Sequence, residues 1–209
     1  MKILRFDVSS RALHWSHALV FFWMLVTGIA LFLTPKSLLG NPPIKMIHLY
    51  ASIPFILLPA IIYIRRSALT RNDIKELMEW SRDDVHWFIE LFKKNGIYVT
   101  GKFNGGQKAN FLVVMLLVTG LSFTGYVIMM RSMFSRSFVE TNFVIHDSLA
   151  VFSIVLLGGH IALALYYREP LKCIIYGKID AAWAKEHYPN WISKKKRGAS
   201  TNNFIGFKG

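Results

Sequence analysis

The sequence predicts an all-α fold: an integral membrane four-helix bundle with cytoplasmic termini and short amphipathic helices in the connection between spans two and three. Three observations carry this. The 209 residues are 53% hydrophobic and 14% aromatic, well outside ordinary soluble composition. Several runs of about 16 to 25 residues lack any Lys, Arg or Glu, long enough to cross a hydrocarbon core. Of 25 basic residues, 21 lie in the N-terminal, middle and C-terminal segments and 4 in the two alternate loops. The positive-inside rule then puts both termini and the long middle connection in the cytoplasm. A net charge of +13 is shared out between the apolar runs and does not gather on one face, so the partner it indicates is a lipid bilayer and not nucleic acid.

Span one is expected over about residues 10–33, with Ser9 or Ser10 as N-cap. Only Thr34-Pro35-Lys36 follows, without a small-residue cleavage site, which favours a retained span over a cleaved leader. His14 enters near its start. His17 follows almost one turn deeper and about 60° round the helix, and topology leaves both open as functional residues. Arg5 and Arg11 precede them at the membrane surface and serve topology, or else pair with carboxylates of a bound group. Span two, about 47–65, opens with His48, contains Pro54 and Pro59, which are expected to kink it, and ends at Arg65-Arg66.

The polar connection from Arg66 to Lys108 holds one or two amphipathic surface helices, with Ile74, Leu77, Met78, Val85, Phe88 and Ile89 at helical spacing. His86 lies among them and reads as a solvated or interfacial residue. The glycine-rich GKFNGGQK, Gly101 to Lys108, directly precedes span three, about 109–131. By its composition it reads as a flexible helix entry.

Span four, about 142–168, carries His146 and His160. Fourteen residues turn a helix by about 1400°, some 40° short of four turns, so both imidazoles leave one face about 21 Å apart. Histidine inside a membrane is costly and marks function by default. Two of them on one face at two depths indicate two stacked haem groups, or else imidazoles hydrogen-bonded between helices. Orientation pairs them: His14 and His160 towards the cytoplasm, His48 and His146 towards the outside. Random placement would rarely produce that. The single Cys173 excludes a disulfide framework, a CxxCH attachment and an iron–sulfur cluster held by this chain alone, so any haem is b-type. A histidine zinc site lacks carboxylate or thiolate companions.

The residues RxxHW (Arg11 to Trp15), a histidine opening span two, GKFNGGQK, the HX13H pair and the tail GKIDAAWAKEHYPNW together resemble the cytochrome b (gamma) subunit of respiratory formate dehydrogenases. The likeness runs over nearly the whole chain, with small departures: the extra His17, and Tyr188 where a second histidine often follows His187. It implies one dihaem membrane domain over 1–209, with a cytoplasmic tail from 169, in the bacterial cytoplasmic (inner) membrane. It implies two b haems, with His14 and His160 as iron ligands of the cytoplasmic-side haem and His48 and His146 of the outer-side haem, favouring His14 over His17.

By the same resemblance, menaquinone or a related quinone is reduced near the cytoplasmic haem. Asn104 and Gln107, and less directly Lys102, are the candidate partners of its carbonyls. Electrons would arrive from an outer iron–sulfur subunit, itself served by a molybdopterin (Mo or W) catalytic subunit. Each electron moved against the membrane potential costs about 2.3 kcal/mol per 100 mV, which the redox drop must cover. The chain would be an electron-transfer and quinone-reducing subunit, with formate oxidation in a partner. Two alternatives remain: a quinone-linked cytochrome b of another complex, such as a hydrogenase or a quinol-oxidising molybdoenzyme, and a non-redox anchor.

Overall fold

The fold was analysed in a computed structural model, which describes residues 1–33, 42–91 and 101–195. Much of the loop between spans one and two, and the chain from residue 196 onward, therefore lie outside the described residues.

Four long helices are apolar enough to cross a membrane: α1 (Val8–Leu33), α2 (Pro42–Ile64), α5 (Gly105–Met129) and α6 (Arg136–Tyr166). Their apolar side chains mostly face outward; Leu19, Phe22, Leu116, Val155 and Leu165 are all exposed. That suits a solvent of acyl chains. The connection between α2 and α5 forms α3 (Ala68–Met78) and α4 (Arg82–Leu91). Beyond α6 come α7 (Arg168–Tyr176) and α8 (Ala181–His187). A two-stranded antiparallel ribbon joins β1 (Lys2–Leu4) to β2 (Lys178–Asp180), with Ile3 opposite Ile179.

The helix starts differ from those expected. Asp7, and neither Ser9 nor Ser10, caps α1: its Oδ1 accepts the amide of Ser10 at 2.9 Å. A carboxylate there satisfies an orphan donor and complements the helix dipole, and the serines fall inside the helix instead. Span two begins at Pro42, where a missing N–H costs nothing, and it runs through Pro54 and Pro59 as one helix. Span four starts six residues early because Ser135 caps it, accepting the amide of Phe138. In spans one and four a polar cap extends the helix past its apolar run.

The long helices make two hairpins, α1 along α2 and α5 along α6. One end of the bundle is closed by the ribbon and the tail, around Cys173, Ile179, Ala184 and Tyr188 with Ile3, Phe6 and Trp183 against them. Gly177 makes the turn possible. It takes φ of 80°, its carbonyl accepts the amides of Arg5 and Phe6, and a Cβ there would meet the Phe6 carbonyl oxygen at 2.5 Å.

The glycine-rich entry to α5 is a clasp, not a loose linker. Asn104 and Gln107 form a reciprocal capping box. Lys108 donates to Asp84 at 2.7 Å and to the Glu79 carbonyl at 2.8 Å, pulling α4 against α5. A Cβ on Gly105 would stand 2.4 Å from the backbone oxygen of Asp84, so only glycine allows this approach. Burial alone would raise the Asp84 carboxyl, but hydrogen bonds from Lys108 and Ser81 outweigh it and hold the group below its ordinary range.

A depressed native pKa means that the contribution is fully present above the unfolded value near 3.8 and is lost as pH falls through the native one. Amide exchange across 82–91, corrected for intrinsic rate, should therefore be flat from neutral pH to about 5 and rise at lower pH. In Asp84→Asn it should be faster at neutral pH and lose that dependence. A wild-type profile already rising between pH 7 and 5 would contradict the assignment.

Candidate functional site between the hairpins

The histidines on the long helices gather in two places. At the end closed by the ribbon, His14 of α1 faces His160 of α6, ring centroids 6.2 Å apart and planes inclined at 45°. His17 turns elsewhere: its ring stacks on Phe55 of α2 at 5.1 Å. Of the two, His14 is the one that faces a second imidazole. His160 is exposed and follows Gly158 and Gly159, where an added Cβ would meet nothing within 4 Å.

At the far end, His48 of α2 and His146 of α6 lie within electrostatic range of each other. Each is held by a threonine of its hairpin partner. Thr27 Oγ1 sits 2.8 Å from His48 Nδ1, and Thr124 Oγ1 sits 2.8 Å from His146 Nδ1. The sequence contained both threonines, but nothing in an apolar run marks one hydroxyl as a ring partner. A faint signal exists: each is followed by glycine (Gly28, Gly125), whose Cα side meets the same ring's Cε1.

RxxHW has a structural logic beyond its histidine. Arg11 Nη1 donates to the Ile175 carbonyl at 2.8 Å and Trp15 Nε1 to the Ile174 carbonyl at 3.1 Å. These are orphan acceptors in the last turn of α7, where a cation is favoured. Flanking His14, the two side chains fix the α1 face that presents it.

Arg5 is buried, 1% exposed, with its guanidinium 4.0 Å over the Tyr188 ring and Nη2 donating to the Lys102 carbonyl at 2.8 Å. Its Nε and Nη1 have no hydrogen-bond partner among the described residues. Lys102 Nζ pairs with Asp73 of α3, both buried, and lies 4.8 Å over the Phe6 ring. Burial raises the Asp73 carboxyl above its usual range and lowers the Lys102 ammonium, the attraction between them opposing both shifts. Sequence reading missed Asp73, whose place is set by α3 docking on α1 through Ser10, Ser67 and Thr70. Asn104 and Gln107 spend their side-chain oxygens on the capping box. The box leaves their amide NH2 groups as the ends able to donate outward.

The residues fit an iron porphyrin held by two imidazoles. Two metal–nitrogen bonds of about 2 Å, extended to each ring's centre, span close to the His14–His160 separation. At the far end the ring Nδ1 atoms are tied to threonine and Nε2 is the nitrogen left for a metal. A buried guanidinium with unpaired N–H groups suits an anionic substituent. Among the described residues no three His, Cys, Asp or Glu side chains form a conventional metal cluster.

Comparison with known proteins agrees. A family model described as prokaryotic cytochrome b561 matches residues 5–176. The chain is 30% identical over 209 residues to the formate dehydrogenase, cytochrome b556 subunit of Haemophilus influenzae, covering 93% of this chain and 84% of that one. It is 28% identical over 203 residues to the nitrate-inducible cytochrome b556(Fdn) subunit of Escherichia coli formate dehydrogenase, covering 90% and 89%. To the cytochrome b556(fdo) subunit of the same organism it is 27% identical over 208 residues, covering 93% and 94%.

Proposed function

Because the chain belongs to the prokaryotic cytochrome b561 family, we propose that it is the dihaem membrane subunit that carries electrons from a formate dehydrogenase to menaquinone. A member of this family is a haem-binding electron-transport protein of the membrane. The observation that carries the reading is the pairing of histidines across the hairpins, His14 with His160 at one end and His48 near His146 at the other.

One domain over 1–209 would bind two b haems, with those four histidines on the irons. Haem b, when bound, supplies reversible one-electron transfer. Arg5 would offer its unpaired Nε and Nη1 to a propionate, and Arg11 its Nε, which likewise has no partner among the described residues. Asn104 and Gln107, fixed by the capping box, would donate from their amide groups to the quinone carbonyls. Lys102 would act beside them through the clasp it forms with Asp73.

The basic residues favour the bacterial inner membrane with both termini cytoplasmic. His48 and His146 then lie outside, facing an iron–sulfur subunit and, behind it, a molybdopterin catalytic subunit. Protons for the quinol would come from the cytoplasm, so inward electron flow charges the membrane. The names of the relatives support formate as the upstream donor.

The test is a pyridine haemochrome assay with protein quantitation on the purified complex and on His48→Ala. About two haems b per chain are expected, falling to about one in the variant. A folded, inserted protein with no haem would overturn the reading and leave a membrane anchor.

A further inference from the structure

The two far-end histidines are held alike, and the hydrogen-bond donors can be assigned. Thr27 Oγ1 lies 3.0 Å from the Trp23 carbonyl and 3.1 Å from the Met24 carbonyl; Thr124 Oγ1 lies 2.8 Å from that of Gly120 and 3.2 Å from that of Leu121. A carbonyl can only accept, so each hydroxyl commits its single proton to its own helix. Towards the ring the hydroxyl oxygen must then accept, and the imidazole Nδ1 must carry the proton. Both rings are thereby fixed in one tautomer, with the lone pair on Nε2. Thr27 and Thr124 are themselves buried, 8% and 3% exposed, so water does not compete for either bond. The near-end pair differs: neither His14 nor His160 makes a side-chain hydrogen bond among the described residues.

We propose that Thr27 and Thr124 are positioning residues that orient His48 and His146 and, by polarising their Nδ1–H bonds, set the far-end haem at a lower reduction potential than the near-end haem. The inference rests on the four-histidine ligation argued above and adds to it a built-in difference between the two sites. A hydrogen bond drawn from the far nitrogen raises the basicity of a metal-bound imidazole. A more basic ligand favours the more positive, oxidised iron, which lowers the potential. Each hydroxyl is itself a donor to a backbone carbonyl, and such chains strengthen each link. With two such ligands on one iron and none on the other, the step from outer to inner site runs downhill on energetics written into α1 and α5.

The experiment is a potentiometric titration of the purified complex, following the reduced b-type absorption. It compares wild type with Thr27→Val, Thr124→Val and Thr27→Ser. Valine keeps the shape and removes the hydroxyl acceptor, leaving, among the described residues, only the Met24 or Leu121 carbonyl within reach of the ring, whereas serine keeps the hydroxyl. Each valine variant is expected to retain both haems and to raise the potential of the same one, the lower, by about 59 mV, a tenfold change in its one-electron equilibrium. The other haem should stay in place, and Thr27→Ser should titrate like wild type. Loss of one haem in Thr27→Val but not in Thr27→Ser also supports positioning by the hydroxyl.

The proposal is overturned if neither valine variant moves a potential, if they move different haems, or if serine behaves like valine. A separate arm protects the interpretation. If His48→Ala keeps two haems with unchanged low-spin signals, it is the ligand assignment that fails, whatever the threonine variants do.

Discussion

Replacing His160 with alanine is expected to halve the haem content and to reduce quinone reduction to background, while formate oxidation with a soluble dye persists. The reason is position. His14 and His160 form the pair at the end closed by the ribbon, and on the proposed reading that pair would hold the haem that passes electrons to the quinone. In the proposed complex formate oxidation would sit in a partner subunit, so the dye route would bypass the defect. His17→Ala is the comparison that gives the result meaning. Its ring stacks on Phe55 and does not face His160, so that variant should keep both haems and most of its quinone activity. Loss of haem in His17→Ala with retention in His14→Ala would reverse the assignment.

The second large effect is expected at the buried pair of Lys102 and Asp73. Asp73→Ala leaves an ammonium buried in the clasp over the Phe6 and Phe103 rings, without its direct partner and with Glu76 as the remaining carboxylate in electrostatic range. Removing one member of a buried pair costs about 3–5 kcal/mol, whereas replacing both by apolar groups is often neutral or better. Asp73→Ala and Lys102→Met should each lower the unfolding midpoint of the detergent-solubilised complex by several degrees. Asp73→Leu combined with Lys102→Met should recover most of it. Non-additivity of this kind marks a shared contact. The double variant also separates two roles for Lys102. If it is folded and still reduces menaquinone, the ammonium is structural; if it is folded, haem-replete and inactive, the ammonium works on the quinone. Single variants as stable as wild type would contradict the buried pair itself.

The sequence was most legible where the lipid does the selecting. Apolar length placed four spans, and three of their starts moved outward where a polar residue carried the helix on: Asp7, Asn104 and Ser135 add residues that hydropathy does not register. Helical periodicity put His146 and His160 on one face because they share a helix. It could not choose between His14 and His17, since that depends on which neighbour each ring meets.

The clasp was illegible for another reason. Glycines in GKFNGGQK read as freedom, whereas Gly105 is needed for the backbone of Asp84 to come close. The same composition supports a loose linker or a tight crossing, and only the partner decides. Thr27 and Thr124 are ordinary residues of membrane helices, their hydroxyls bonding back to their own backbone. Their second contact exists only once α2 and α6 have folded back.

The ribbon between Lys2–Leu4 and Lys178–Asp180 also imposes an order of events during biogenesis. The first strand is made before α1, but its mate follows about 175 residues later, after α7. At about 5–20 residues per second, on the order of ten seconds or more pass with β1 unpaired. Throughout that time the end of the bundle holding His14 has no lid, and all four spans can insert and exchange neighbours. Pairing then seals the end in one step, bringing Gly177 under Arg5 and Phe6 and Tyr188 over the guanidinium. The ribbon is thus a latch that can close only after α1 to α7 have all been made.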